Sequence, residues 1–115
     1  MASNLEEILC FQLKALGLSF VREHRVVPTR RFRFDVAFPD VLLAVEIQGG
    51  TWINGGHSRG KGIERDCEKA AEAMILGWRV LHVTTDQVRT GQALQWIQKL
   101  LDPTLSIGEN PYRKR

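Results

Sequence analysis

The sequence predicts an α/β fold, a small mixed sheet flanked by helices, and three observations carry that reading. Apolar residues at helical spacing alternate with short β-branched runs in the order α-β-β-β-α-β-α. Proline and isolated glycines fall at the ends of those runs, where elements stop. A chain of 115 residues, 43% hydrophobic and 25% charged, can bury one modest core, so a single domain over residues 1–115 is expected.

Ser3 or Asn4 can cap a first helix whose opening turn is favoured by Glu6 and Glu7. Leu5, Ile8, Leu9, Ala15 and Leu16 would share its buried face, and Gly17 is its stop. Residues 20–27 read as extended, and Pro28 and Thr29 as a turn. From 31 to 38 the chain alternates with Phe32, Phe34, Val36 and Phe38 on one side, which predicts a half-buried strand with a charged opposite face. Residues 41–47 form a β-rich apolar run suited to a central strand covered on both faces. Six of the ten glycines then lie between Gly49 and Gly62, predicting a flexible loop that carries Trp52, His57, Arg59 and Lys61. Ile63, Cys67, Ala70, Ala71 and Met74 recur at helical spacing up to Gly77. Residues 78–84 return as an apolar strand. A last helix from about Gly91 to Leu101 places Leu94, Ile97, Gln98 and Leu101 on one stripe before Pro103, and Tyr112-Arg-Lys-Arg ends the chain with basic charge.

Sixteen Lys and Arg against 13 Asp and Glu leave a net charge of +3, which leans toward a polyanionic partner without deciding one. Cys10 and Cys67 stand far apart in no paired spacing, which argues against a disulfide framework or a cysteine zinc site; both are expected reduced in the core. The N-terminus lacks the basic start and apolar run of a signal peptide. No stretch approaches the ~18 apolar residues that cross a bilayer, so a cytoplasmic protein without a membrane partner is expected.

The chemistry concentrates on two acids, Asp35 in Arg33-Phe-Asp-Val and Glu46 in Val45-Glu-Ile-Gln. On neighbouring strands their carboxylates can converge on one side of the sheet, and hard oxygen ligands held that way suit Mg²⁺ or Mn²⁺. Such a metal can activate water and steady a scissile phosphate. Asp35 can equally point to solvent opposite the phenylalanines. Glu46 has less freedom, because a carboxylate inside an apolar run is costly unless paired or metal-bound.

Asp35, a ten-residue gap and then Glu46-Ile47-Gln48 resemble the D…(D/E)-x-K core of the PD-(D/E)XK nuclease superfamily. Residues 30–39, 45–52, 56–59, 66–69 and 77–81 further resemble a phage and prophage group of such nucleases, distantly similar to the very-short-patch-repair and archaeal Holliday-junction-resolving endonucleases. The resemblance covers roughly residues 5–88. It implies a restriction-endonuclease-like αβββαβ core and a metal-dependent endonuclease that hydrolyses phosphodiester bonds of DNA, in the cytoplasm of a bacterial host. It also implies that Asp35 and Glu46 ligate Mg²⁺ or Mn²⁺, with the backbone carbonyl of Ile47 completing the inner shell. Glu7 resembles the first-helix acid of the junction-resolving relatives, although capping and helix-dipole roles explain it as well.

Gln48 departs from the pattern. The superfamily usually places there a lysine that positions or deprotonates the attacking water, and a neutral amide supplies no cation. Lys69 is the candidate substitute, since some members carry the lysine on the helix after the glycine loop; pairing with Glu72 or Asp66 on a solvated helix face is the alternative. Gln48 therefore also admits a catalytically impaired DNA-binding protein on the same fold.

Arg30, Arg31 and Arg33, together with Arg22 and Arg25, concentrate charge before Asp35, while Arg59, Lys61 and Arg65 follow the glycines. These would flank the carboxylates and contact phosphates. His57 reads as a general base, a phosphate contact or an idle loop residue. Trp52 reads as a base-stacking wedge or as cover for the core edge. Glu23 is expected in a surface ion pair with Arg25 or Arg33, and Trp78 and Trp96 in packing. A rival pattern, Gly55 to Lys61, fits the first seven positions of a phosphate-binding loop, but Gly62 stands where Ser or Thr should hold Mg²⁺. Junction resolution would require two active sites and hence a homodimer, for which the helices identify no face.

Overall fold

The structure, a computed structural model, describes residues 4–49 and 56–102, with side chains in the second segment from residue 62 onward. Its elements are α1 (Asn4–Ala15), β1 (Val21–His24), β2 (Phe34–Phe38), a 3-10 turn (Pro39–Val41), β3 (Leu43–Gln48), α2 (Gly56–Ile75), β4 (Arg79–Thr84), α3 (Thr85–Arg89) and α4 (Gln92–Leu101). The four strands form one mixed sheet in the order β1-β2-β3-β4. Its first two pairings are antiparallel and the third, bridged by α2, is parallel. The expected α/β architecture is the observed one.

Alternation along the strands separates two cores. Val36, Phe38, Leu43, Val45 and Val83 pack with Leu9 and Leu13 of α1, Val88 of α3, and Ala93 and Ile97 of α4. On the other side Phe34, Ala37 and Ala44 meet Ala73 of α2 and Trp78. Small residues on both partners let α2 lie close to the sheet there.

Several local expectations are corrected by this packing. The strand ending at Phe38 is covered on both sides, not half-buried, because β2 is an interior strand between two helical layers. It starts at Phe34, leaving Arg31 and Arg33 before it. β3 begins at Leu43 rather than at residue 41, since the 3-10 turn consumes Pro39–Val41 and Leu42 takes a left-handed conformation. In α1 the buried stripe is Glu6, Leu9, Cys10 and Leu13, whereas Ala15 and Leu16 are exposed. In α2 the buried residues are Lys69 and Ala73, while Ile63, Cys67 and Met74 face outward. Cys10 is thus in the core and Cys67 is not.

The glycine-rich segment is helical from Gly56, so positions 57, 59 and 61 belong to the first turns of α2 rather than to a loop. A helical backbone there also removes the phosphate-loop rival. Each glycine costs a helix about 0.5–1 kcal/mol relative to alanine, a local preference that the long helix overrides. Gly17 and Gly77 stop their helices as expected, each at positive φ. In both, the next residue's amide reaches back to the carbonyl five positions earlier, Leu18 to Leu13 at 3.1 Å and Trp78 to Ala73 at 3.0 Å. Trp78 is buried, and Trp96 packs partly buried against the first core. The short α3, held by a capping box between Thr84 and Gln87, was not anticipated from sequence. Among the described residues no helix is long and apolar enough to cross a membrane.

Candidate active site

The site forms at the end of the sheet where β2 begins and where β1, β3 and β4 finish. Val36 pairs with Val45 and Ala37 with Ala44, so the continuing antiparallel register sets Asp35 opposite Glu46. Glu46 is in turn the register partner of His82 in β4. On the other side, the pairs Arg22 with Val36 and His24 with Phe34 bracket Glu23 and Asp35. Glu23, Asp35, Glu46 and His82 therefore stand in one row across all four strands.

Lys69 reaches into this row from α2. Its Nζ donates to Glu46 Oε2 at 2.7 Å and to the Arg33 carbonyl at 2.7 Å, and lies 4.7 Å from the centre of the Phe34 ring. It pairs with neither Glu72 nor Asp66, the alternatives left open by the sequence. The Ile47 amide donates to Asp35 Oδ2 at 2.8 Å, tying β3 to β2 at the site. Burial raises the pKa of Asp35 above the ordinary carboxylate value, opposed by the Ile47 amide. Burial likewise raises that of Glu46, opposed by the Lys69 ammonium. Glu46 Oε1 is buried with no hydrogen-bond partner among the described residues.

On α1 it is Glu6 rather than Glu7 that stands beside Asp35. Carboxylate oxygens of Glu6, Glu23 and Asp35 lie within 4.8 Å of one another. Glu6 is 4% exposed, and burial, then its hydrogen bond with Glu23, push its pKa upward against the pull of Arg22. Glu7 is exposed on α1 and paired with Arg22 at 3.1 Å. Glu23, expected in a surface pair with Arg25 or Arg33, instead joins this cluster on a backbone with φ 50°, uncommon for a residue with a side chain.

Gln48 Nε2 lies 2.7 Å from His82 Nδ1. His82 was missed by the sequence reading, although a polar residue inside the apolar run 80–83 is the same signal that singled out Glu46. Glu6 had a signal too, since Glu6, Leu9, Cys10 and Leu13 follow helical spacing.

The arginines divide. Arg22 is held by Glu6 and Glu7, and Arg30 by Glu68 and Glu72 while it covers the Phe32 ring at 4.9 Å. Arg31, Arg33 and Arg65 are exposed. A cleft of about 710 Å³ between residues 29–32 and α2 brings together Arg30, Arg31 and Arg65 beside Phe32. Trp52 and the side chains of His57, Arg59 and Lys61 lie outside the described residues.

No family model and no curated protein matches the chain. Among solved structures, the catalytic domain of the homing endonuclease I-Bth0305I matches with a TM-score of 0.66 and 22% identity, over 86% of this chain and 94% of that one. This chain shares the fold of that endonuclease domain. The match spans nearly the whole of that domain.

Proposed function

We propose that the chain is a metal-dependent DNA endonuclease of the PD-(D/E)XK type, a single domain acting in the cytoplasm of a phage-bearing bacterial host. The observation that carries this reading is the meeting of Asp35 and Glu46 with Lys69 2.7 Å from Glu46. It restores, from a helix, the cation missing at Gln48. A divalent cation fits the residues: hard carboxylate oxygens of Glu6, Glu23 and Asp35 converge, and Glu46, outside that group, has Oε1 as a buried acceptor without a donor among the described residues. Asp35 and Glu46, with the Ile47 carbonyl, would hold Mg²⁺ or Mn²⁺, and Glu6 takes the place expected for Glu7. Such an ion, when bound, supplies Lewis-acid polarisation of the phosphate and of water.

The chain's own residues do the rest. Lys69 offsets anionic charge that develops at the phosphate, in a setting where α2 limits solvent. Gln48 hydrogen-bonds the attacking water. Arg31, Arg33 and Arg65, with Arg30 in the cleft wall, contact phosphates flanking the cut. The resemblance to junction-resolving enzymes singles out branched DNA, in phage recombination or repair, and two copies of the chain would be needed to resolve a junction.

A second reading, a DNA-binding protein without cleavage, is favoured by one observation: the Gln48 amide is engaged by His82, and no cation stands at its position. A cleavage panel of four-way junction, mismatched, single-stranded and linear duplex DNA with Mg²⁺ or Mn²⁺ separates the two. The nuclease should cut at least one form, and Asp35→Asn or Glu46→Gln should abolish cutting while sparing DNA binding. Binding to DNA with no cleavage of any form would leave only the second reading.

A further inference from the structure

Resting on the endonuclease reading, we propose that His82 is a positioning residue that fixes the Gln48 amide, so that the side chain at the motif's lysine position presents its oxygen to the attacking water. Gln48 closes β3, and His82 lies in β4 as the register partner of Glu46, on the same face. The amide nitrogen and the imidazole Nδ1 are 2.7 Å apart, a full hydrogen bond.

Two arrangements can join a neutral imidazole to an amide. Either the amide NH₂ donates to a bare Nδ1, or the amide oxygen accepts from a protonated Nδ1. The geometry is that of the first, because it is the amide nitrogen, not the oxygen, that faces Nδ1. The Lys69 ammonium is itself met by the Glu46 carboxylate at 2.7 Å, so the orientation rests on this contact. With the NH₂ on Nδ1, the imidazole proton sits on Nε2 and Gln48 Oε1 is left for the site. The task usually given to one lysine is thereby divided. Lys69 supplies the charge, and the pair Gln48 with His82 supplies an oriented acceptor that holds a water proton by hydrogen bonding.

His82 is exposed, so its substitution leaves folding intact. In single-turnover cleavage, His82→Ala should slow the reaction roughly 10- to 100-fold, as loss of an outer-sphere orienting partner does, with the Kd for DNA unchanged. His82→Asn, whose side-chain oxygen can stand in for Nδ1, should recover most of the rate. The double variant His82→Ala with Gln48→Ala should be no slower than Gln48→Ala. A wild-type rate in His82→Ala, a loss confined to Kd, or effects that multiply in the double variant would overturn the role. The tautomer gives a readout that needs no cleavage: long-range ¹H–¹⁵N spectra of the DNA-free protein, above the imidazole titration range, should show the proton on Nε2. A proton on Nδ1 in a protein that cleaves sinks the positioning role alone. An Nε2 proton in a protein that cuts no DNA sinks the endonuclease reading, and the positioning role with it.

Discussion

At the residue scale, the buried acids oppose folding when they are ionised. The folded-state pKa of Asp35 is raised by burial. Its contribution to stability is therefore fully present below the unfolded carboxylate pKa and is lost as pH rises through the folded value. Asp35→Asn, which keeps an oxygen for the Ile47 amide, should make the protein more stable to urea at neutral pH. That gain should shrink as pH falls through the carboxylate range; equal gain at both pH values would refute the burial argument. Lys69 behaves oppositely, because it is 7% exposed and joined to a buried partner. Lys69→Met strands Glu46 and should cost roughly 3 kcal/mol in the same urea titration, as breaking a buried pair does. Glu6 and Glu7, adjacent in sequence, should part in function. Glu6→Gln should weaken Mn²⁺ binding in calorimetry and Glu7→Gln should not, since only Glu6 stands with Asp35.

At the element scale, the position of Lys69 depends on how closely α2 lies on the sheet. Ala44 and Ala73 are fully buried where they meet. Ala44→Leu should cost about 1–3 kcal/mol by overpacking and should also slow cleavage, since lifting α2 withdraws Lys69 from Glu46. A destabilised variant with unchanged single-turnover rate would separate α2 from the chemistry. The elements themselves were largely legible: both glycine stops, the apolar core of β3 and the last helix follow from spacing and breakers. The phase of the helix stripes was not. In α2, Ile63, Cys67 and Met74 form as regular a stripe as Asp66, Lys69 and Ala73, and only docking against Ala37 and Ala44 chooses the second. Glycines before residue 62 signalled a loop because their local helix preference is poor, yet α2 begins among them.

At the scale of the whole molecule, the net charge of +3 averages unlike regions. Arg22 and Arg30 are committed to acids, while Arg31, Arg33 and Arg65 are exposed near the cleft. DNA affinity should fall as salt rises, and Arg31→Ala or Arg65→Ala should each reduce the slope of log K against log salt by about 1. Fluorescence anisotropy across a salt series reads this directly; an unchanged slope places the DNA elsewhere. Mn²⁺ should stabilise the wild type by mass action, by about 2.7 kcal/mol at a hundredfold excess over Kd, and so raise its Tm, and should leave Asp35→Asn unmoved.

The sequence by itself determined the α/β order and set Asp35 and Glu46 in neighbouring strands, with Glu46 inside an apolar run. Those follow from periodicity and from the cost of a carboxylate in an apolar run, both local properties. Tertiary structure alone decided that Lys69 meets Glu46, that Glu6 rather than Glu7 joins Asp35, and that Glu23 and His82 complete a row across the sheet. Register and helix rotation set those meetings. They are fixed by which faces bury together, a choice made between elements far apart in the chain and left open by the spacing within any one of them.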